Sequence, residues 1–254
     1  MDLSQTMDKS QRIMLLIAIS AVAIAATLFV PPIPQWPEYH QFADQRTFFG
    51  ISNFLNVASN MLYIIVGGYA IKVLSSHKES SIFQRDCLPV TLFFFGLILT
   101  GFGSAYYHIA PNNNTLVWDR LPMTIAFMSF FCYVIYTCID KRWGQLLFMP
   151  LLIIGAVSVL YWDYTESMGQ GDLRFYGLIQ FLPMVLVPLI LILFGRNLYR
   201  SRYLWGVVGL YVIAKVAESA DTILMNILFI SGHSIKHLIS SFTAIALLRA
   251  ATVR

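Results

Sequence analysis

Long apolar stretches separated by short polar connections recur along most of the 254-residue chain. A helix that crosses the hydrocarbon core of a bilayer needs about 20 mainly apolar residues. On that criterion the sequence predicts eight spanning segments, at 13–31, 49–74, 88–108, 117–139, 145–161, 175–195, 203–224 and 231–249. The fifth segment is short, and polar residues interrupt the last two. The pattern predicts an all-α fold, a polytopic bundle of membrane helices.

The composition supports this class, because 57% of the residues are hydrophobic and only 12% are charged, with a mean hydropathy of +0.67. A soluble domain carries about 25% charged residues. The net charge of +4 is too small to indicate a nucleic-acid partner. The three cysteines, Cys87, Cys132 and Cys138, show neither a C-x-x-C pair nor a metal-ligand spacing, and we expect free thiols.

The placement of lysine and arginine predicts the orientation. We interpret the first segment as a retained helix rather than a cleaved signal, with its N-terminus in the cytoplasm. Alternation then places two sets of basic residues on opposite sides. The cytoplasmic set is Lys9, Arg12, Lys72, Lys78, Arg85, Lys141, Arg142, Arg196, Arg200, Arg202, Arg249 and Arg254, and the outer set is Arg46, Arg120, Arg174 and Lys236. Because cytoplasmic loops are enriched in lysine and arginine, we expect both termini in the cytoplasm. The membrane would be that of the ER or Golgi in a eukaryote and the cytoplasmic membrane in a bacterium.

Five polar residues lie near the predicted outer ends of three segments. Ser104 and His108 end the third segment, Asp119 begins the fourth, and His233 and His237 begin the eighth. Residues four apart share one helix face, so His233 and His237 can bind one metal ion from a single helix. With His108 they would supply the three protein ligands of a catalytic zinc site, which keeps one position for water.

Asp119 and Ser104 would complete such a site. A carboxylate near metal-bound water can orient it and move its proton to a leaving group. A serine hydroxyl can donate a hydrogen bond to a substrate carbonyl or to its oxyanion. Each of these residues could instead be a polar contact between helices, as intramembrane polar groups often are.

Other polar residues have simpler interpretations. His40 and His77 lie in predicted loops on opposite sides, where we expect them to be solvated. Lys236 lies between two of the site histidines, and we expect it to point to another face. Three charged residues share one face of the seventh segment, either as a structural Lys–Glu pair or as a polar lining for a substrate head group: Lys215, Glu218 and Asp221.

Short motifs around these residues resemble the alkaline ceramidases. They are "GSAYYH", "WDRLPM", "GHSIKH" and, upstream, "FFGISNFLNVASN". The resemblance covers residues 44–249 and extends to the wider superfamily of adiponectin-type receptors and Per1-like proteins. It implies seven helices and a zinc ion on His108, His233 and His237, with Asp119 and Ser104 in the roles given above. We therefore divide the chain into an extra N-terminal membrane helix with its outer loop, 1–43, and a seven-helix ceramidase-like domain, 44–254.

Animal ceramidases carry an acidic calcium-binding stretch before the first helix of the family. The corresponding region here reads "FADQRTFFGISNF", in which Asp44 and Asn53 could supply oxygen ligands. Calcium takes six to eight oxygen ligands, and several of the carboxylates are replaced in this chain. A calcium ion near Asp44 and Asn53 is therefore a further expectation from this resemblance.

The expected activity is that of a zinc-dependent intramembrane hydrolase. Its substrate would be ceramide taken from the bilayer, cleaved at the amide bond to a sphingoid base and a fatty acid. One alternative keeps the metal and changes the substrate, giving a lipid esterase of the Per1-like type. A second alternative is a non-catalytic membrane receptor with structural zinc, whose site would be closed by four protein ligands.

Overall fold

The computed structural model describes residues 7–76, 88–195 and 198–253, and the regular elements in these ranges are helices. The α-helices are α1 (Lys9–Phe29), α2 (Phe54–Ser59), α3 (Met61–Ser76), α4 (Leu88–Ile109), α5 (Asn113–Val134), α6 (Lys141–Ser167), α7 (Arg174–Phe194), α8 (Leu198–Ser219), α9 (Asp221–Leu228) and α10 (Gly232–Thr252). A 3-10 turn covers Pro37–His40, and a π-helical turn, Ile135–Ile139, extends α5. The predictions for His77, Cys87, Lys78, Arg85, Arg196 and Arg254 lie outside the described residues.

The helices confirm an all-α, polytopic membrane bundle. Six helical stretches in the described residues are long and apolar enough to cross a bilayer. They are Lys9–Phe29, Phe54–Ser76 (α2 with α3), Leu88–Ile109, Asn113–Ile139 (α5 with the π-helical turn), Lys141–Ser167 and Arg174–Phe194. The seventh predicted segment forms α8, which is not among them because it carries four charged residues: Arg200, Arg202, Lys215 and Glu218. The eighth forms α10, which with α9 makes a pair bent by 98° that passes as one further span.

Side-chain caps define the first turns of α5, which carries Asp119, and of α10, which carries His233 and His237. Asn112 accepts a hydrogen bond from the Thr115 backbone, and Thr115 accepts one from the Asn112 backbone, so that a capping box begins α5. Ser231 accepts a hydrogen bond from the Ser234 backbone nitrogen at 3.0 Å and begins α10. These caps determine where Asp119 and His233 fall on their helices.

Two helix pairs account for most of the packing around the site. The most extensive pairing is α4 with α5, followed by α8 with α10. Both rely on a glycine at the crossing, because an added Cβ would lie 1.9 Å from a backbone oxygen of the partner helix at Gly103 and at Gly232. By contrast, α1 packs mainly on α7, and only 11% of the residues in its apolar stretch are buried. It lies at the edge of the bundle, where Arg12 donates to the Leu193 carbonyl at 2.8 Å.

The crossing of α4 and α5 generates a stability prediction. A methyl group at Gly103 would overlap the Trp118 carbonyl oxygen, and overpacking of this kind costs about 1–3 kcal/mol. We expect Gly103→Ala to lower the free energy of unfolding by that amount. The matched control is Gly68→Ala, where a Cβ meets nothing within 4 Å and the better helix propensity of alanine adds up to about 1 kcal/mol. Thermal unfolding in detergent compares the two, and equal melting temperatures would contradict the packing.

Candidate metal centre and cavity

Three imidazole rings converge where α4 ends and α10 begins. His108, His233 and His237 are all buried, and one ring nitrogen of each lies within 4.8 Å of the others. The Nε2 atoms of His108 and His233 are 3.1 Å apart. The i, i+4 spacing on α10 and the outer end of α4 therefore meet as the sequence motifs suggested. A cluster of this kind can hold a metal ion and is compatible with zinc.

Neighbouring groups orient the rings. The Ser59 hydroxyl donates to the Asn56 carbonyl at 3.1 Å, so its oxygen is free to accept from Nδ1 of His237 at 2.8 Å. This arrangement leaves the Nε2 lone pair of His237 available to bind a metal ion, as in metal sites where the other ring nitrogen of the histidine is hydrogen-bonded. The Phe42 ring packs edge-on against both His108 and His233, with centroid distances of 4.6 Å.

The donor set fits a metal. Nε2 of His108 and Nε2 of His233 face each other at 3.1 Å, so two nitrogens that can each donate a lone pair converge on one point. Imidazole nitrogens are preferred zinc ligands. In the part of the chain that the structure describes, the cluster contains no carboxylate or thiol as a fourth ligand. Three nitrogens without a fourth protein group resemble an open site rather than a closed one.

Asp119 and Ser104 lie beside this cluster, and the Ser104 hydroxyl is near the Asp119 carboxylate. Both residues line the same cavity as His237, and Ser104 is buried with 2% exposure.

A cavity of about 520 Å³ extends from these residues into the bundle. Ser104, Asp119, Lys236 and His237 form part of its polar wall. Its remaining surface is mainly apolar and includes Leu97, Phe127, Phe130, Met184 and Val207. A mostly apolar cavity with a few convergent polar groups is the usual form of a small-molecule site, and here the apolar part suits hydrocarbon chains.

The prediction for Lys236 is wrong. Its Nζ lies 3.0 Å from Nε2 of His233 and donates to Oε1 of Glu218 at 2.9 Å. Lys236 is three residues after His233 and so shares its face of α10, and Glu218 on α8 draws the ammonium toward the cluster. Glu218 also forms an ion pair with Lys215, and all three side chains line the cavity.

Asp221 has a different role from the other two charges that were grouped with it. Its Oδ1 accepts from the His233 backbone nitrogen and its Oδ2 from the Ala43 backbone nitrogen, both at 2.9 Å. It thus connects the first turn of α10 to the loop before α2. Because it begins the separate helix α9, its side chain leaves the face shared by Lys215 and Glu218.

The structure does not support the calcium expectation. Asp44 is fully buried, and the Arg46 guanidinium hydrogen-bonds both of its carboxylate oxygens at 2.8 Å. These hydrogen bonds hold the pKa of Asp44 below its usual value, so the pair is ionised and mutually satisfied. The Asn53 amide donates to the His108 carbonyl at 2.9 Å. The two predicted ligands therefore support the loop and α4.

The expectation of a solvated His40 is also wrong. Its Nδ1 lies 2.9 Å from the Tyr107 hydroxyl and its Nε2 lies 2.9 Å from Oδ1 of Asn113. It joins the loop before α2 to the ends of α4 and α5. The sequence shows no periodicity in this loop, so it could not indicate these partners. The two cysteines that the structure describes, Cys132 and Cys138, are free as expected.

The position of Lys236 generates a prediction about metal affinity. An ammonium group beside His233 opposes a divalent cation at short range. We expect Lys236→Met to tighten zinc binding by about tenfold or more, measured by competition with a chromophoric chelator. Lys215→Met is the matched control, because Lys215 also pairs with Glu218 but makes no hydrogen bond to a histidine. Equal effects of the two substitutions would contradict the prediction.

Comparison with known proteins connects this geometry to a family. The model of the Ceramidase family matches residues 46–220, a stretch that includes Ser104, His108 and Asp119 and ends before His233 and His237. No curated protein and no solved structure matches the chain. The histidines of α10 are therefore an observation independent of the family match. Since the match covers well over half of the chain, this multi-pass membrane protein belongs to the ceramidase family.

Proposed function

We propose that the protein is a zinc-dependent hydrolase that cleaves the amide bond of ceramides to release a sphingoid base and a fatty acid. Membership in the ceramidase family supports ceramide hydrolysis. The observation that carries the metal requirement is the cluster of His108, His233 and His237 at the polar end of an apolar cavity. Ceramide and the surrounding bilayer are the partners that this arrangement implies.

His108, His233 and His237 would hold the zinc ion. When bound, zinc would polarise the amide carbonyl and lower the pKa of water toward about 7. The protein contributes the orientation of its ligands through Ser59 at His237 and through the Asp221 contact at the His233 backbone. Phe42 covers two of the rings and limits access of bulk water to them.

Asp119 is the proton carrier in this proposal. Its carboxylate accepts a proton from the water that attacks the amide carbon, and a C–O bond forms. It then delivers that proton to the nitrogen as the C–N bond breaks, so that the sphingoid base leaves as an amine. Ser104 lies near this carboxylate in the same cavity wall. Its hydroxyl would donate a hydrogen bond to the substrate carbonyl or to its oxyanion.

The orientation in the membrane follows the basic residues. With both termini in the cytoplasm, which requires α8 to cross the bilayer as well, the site would lie near the outer side of the bilayer. In support, the described helices place Ser104, His108, Asp119, His233 and His237 at one end of the bundle. Lipid hydrolysis at that end would take ceramide from the outer leaflet.

The two alternatives make different demands on the site. A receptor with structural zinc needs four protein ligands, and the described part of the histidine cluster offers three. A lipid esterase would use the same metal and carboxylate, so a panel of ceramides, ceramide esters and glycerolipids separates the two. Preferential hydrolysis of the ester-linked lipids would replace the proposed substrate.

We expect His237→Ala to lose stoichiometric zinc and ceramide hydrolysis together, because one of three ligands is removed. Metal content and product release are measured on the same preparation, with and without a strong chelator. His40→Gln is the control, since it changes a histidine outside the cluster and is expected to retain zinc. Ceramide turnover that survives both the substitution and the chelator would overturn the proposed mechanism.

Asp119→Asn separates proton transfer from metal binding. The amide has similar volume and stays polar, and Asp119 is not part of the histidine cluster, so we expect zinc content and folding to be retained. Loss of the proton carrier is expected to lower kcat by about 10²–10⁴-fold with little change in KM. A variant that keeps its zinc and its full turnover number would show that another group moves the proton.

A further inference from the structure

Arg120 is a buried cation of the cavity wall that the proposed reaction does not use. It follows Asp119 on α5, is 4% exposed and lines the cavity. Its Nη2 donates to Oε1 of Gln35 at 2.6 Å. Its Nη1 is buried and has no hydrogen-bond partner. One arm of the guanidinium is therefore an unused donor beside the catalytic carboxylate.

Aromatic rings hold the guanidinium in place. Its carbon lies 4.2 Å from the centroid of Trp162, 4.8 Å from that of Tyr176 and 5.4 Å from that of Tyr39. Stacked cation–π contacts of this kind attract a desolvated arginine and restrict its orientation. The side chain is rigid before any ligand arrives.

The charge of Arg120 has no ion-pair partner in the described part of the protein. Glu166 contacts Trp162 and Gln35, the residues that surround the guanidinium. Its Oε2 already accepts hydrogen bonds from the Trp162 indole at 3.2 Å and from the Gln35 backbone at 3.1 Å. Asp119 interacts with the guanidinium only through space. A buried cation that is incompletely paired is costly, and an anionic ligand would remove much of that cost.

We propose that Arg120 is the specificity-determining residue of a head-group subsite, where it binds an anionic oxygen group, such as a phosphate, at C1 of the sphingoid base. The inference rests on the proposed function, because it places the scissile amide at Asp119. In a ceramide the amide nitrogen is on C2, so a substituent on C1 lies only a few bonds from the reacting carbon. Asp119 and Arg120 line the same cavity, so a C1 substituent would lie in the space that the guanidinium borders.

The surrounding charges agree with an anion. Lys215 and Lys236 share the single carboxylate of Glu218, so this part of the wall carries a net positive charge. An arginine presents its donors in a planar fork that matches tetrahedral oxyanions. Apolar residues fill the rest of the wall, and they match the chains of the same lipid rather than a water-soluble anion.

The test compares two short-chain ceramides that differ only in a phosphate on the C1 hydroxyl. With the zinc-loaded full chain, we expect a higher kcat/KM for the phosphorylated lipid. Arg120→Gln is expected to reduce that preference, the ratio of the two kcat/KM values, by about ten- to a hundredfold, the effect of one hydrogen bond to a charged group. Arg120→Lys keeps the charge without the fork and should fall between them. Arg142→Gln, an exposed arginine at the other end of the bundle, is the matched control.

A binding measurement on metal-free protein separates this inference from the proposed function. We expect the phosphorylated ceramide to bind more tightly than the neutral one in the wild type, and the difference to shrink in Arg120→Gln. Protein that binds in this way but hydrolyses neither lipid would defeat the proposed function and leave the subsite standing. Ceramide hydrolysis with equal preference in wild type and Arg120→Gln would defeat the subsite alone.

Competition distinguishes the sources of the anion. Inorganic phosphate and a free fatty acid are added separately to the same binding assay. The subsite predicts that neither displaces the phosphorylated ceramide at concentrations near its own dissociation constant. Displacement by fatty acid that depends on Arg120 would assign the arginine to the product carboxylate, and displacement by inorganic phosphate would assign it to a soluble anion. Either result overturns the proposal.

Discussion

The buried side chain of Asn56 is the connection on which the candidate site depends. Its Oδ1 accepts from the hydroxyls of Ser231 and Ser234 at 2.9 and 2.7 Å, which holds the start of α10 against α2. The backbone carbonyl oxygen of Asn56 accepts a hydrogen bond from the hydroxyl of Ser59, the residue that orients His237. A buried amide of this kind is stabilising only when its hydrogen bonds are complete. Asn56 therefore couples the geometry of the histidines to the packing of two helices that are far apart in sequence.

The sequence predicted those parts of the protein that depend on local pattern. Hydropathy gave the helices, and the i, i+4 spacing indicated the pairing of His233 with His237. The predictions that were wrong depended on tertiary partners. Lys236 turns toward the cluster because its partner Glu218 lies on α8. His40 lies within hydrogen-bonding distance of two side chains because α4 ends and α5 begins beside its loop. The hydrophobic pattern of one segment cannot predict which residue of another segment will contact it.

Electrostatics distinguish the two sides of the cavity wall. Near the histidines, the ammonium of Lys236 is held by Glu218, which limits its opposition to a divalent ion. On α5, Arg120 has aromatic faces and an amide oxygen around it but no carboxylate in contact. Lys236 is thus a cation paired with a carboxylate, and Arg120 is a cation without one. In a medium of low dielectric constant this difference in electrostatic potential is large. It therefore favours one orientation of a polar lipid that enters the cavity.

A closed zinc site and an open one would place different demands on the same helices. In the described part of the chain, the carboxylates of Glu218 and Asp119 lie near the cluster. Oε1 of Glu218 is 3.8 Å from Nδ1 of His233, but this carboxylate is already paired with Lys215 and Lys236. Asp119 lines the cavity beside His237 and lies outside the group of convergent nitrogens. In the proposed mechanism, that position makes Asp119 an acid–base group beside the metal, as hydrolysis requires and structural metal binding does not.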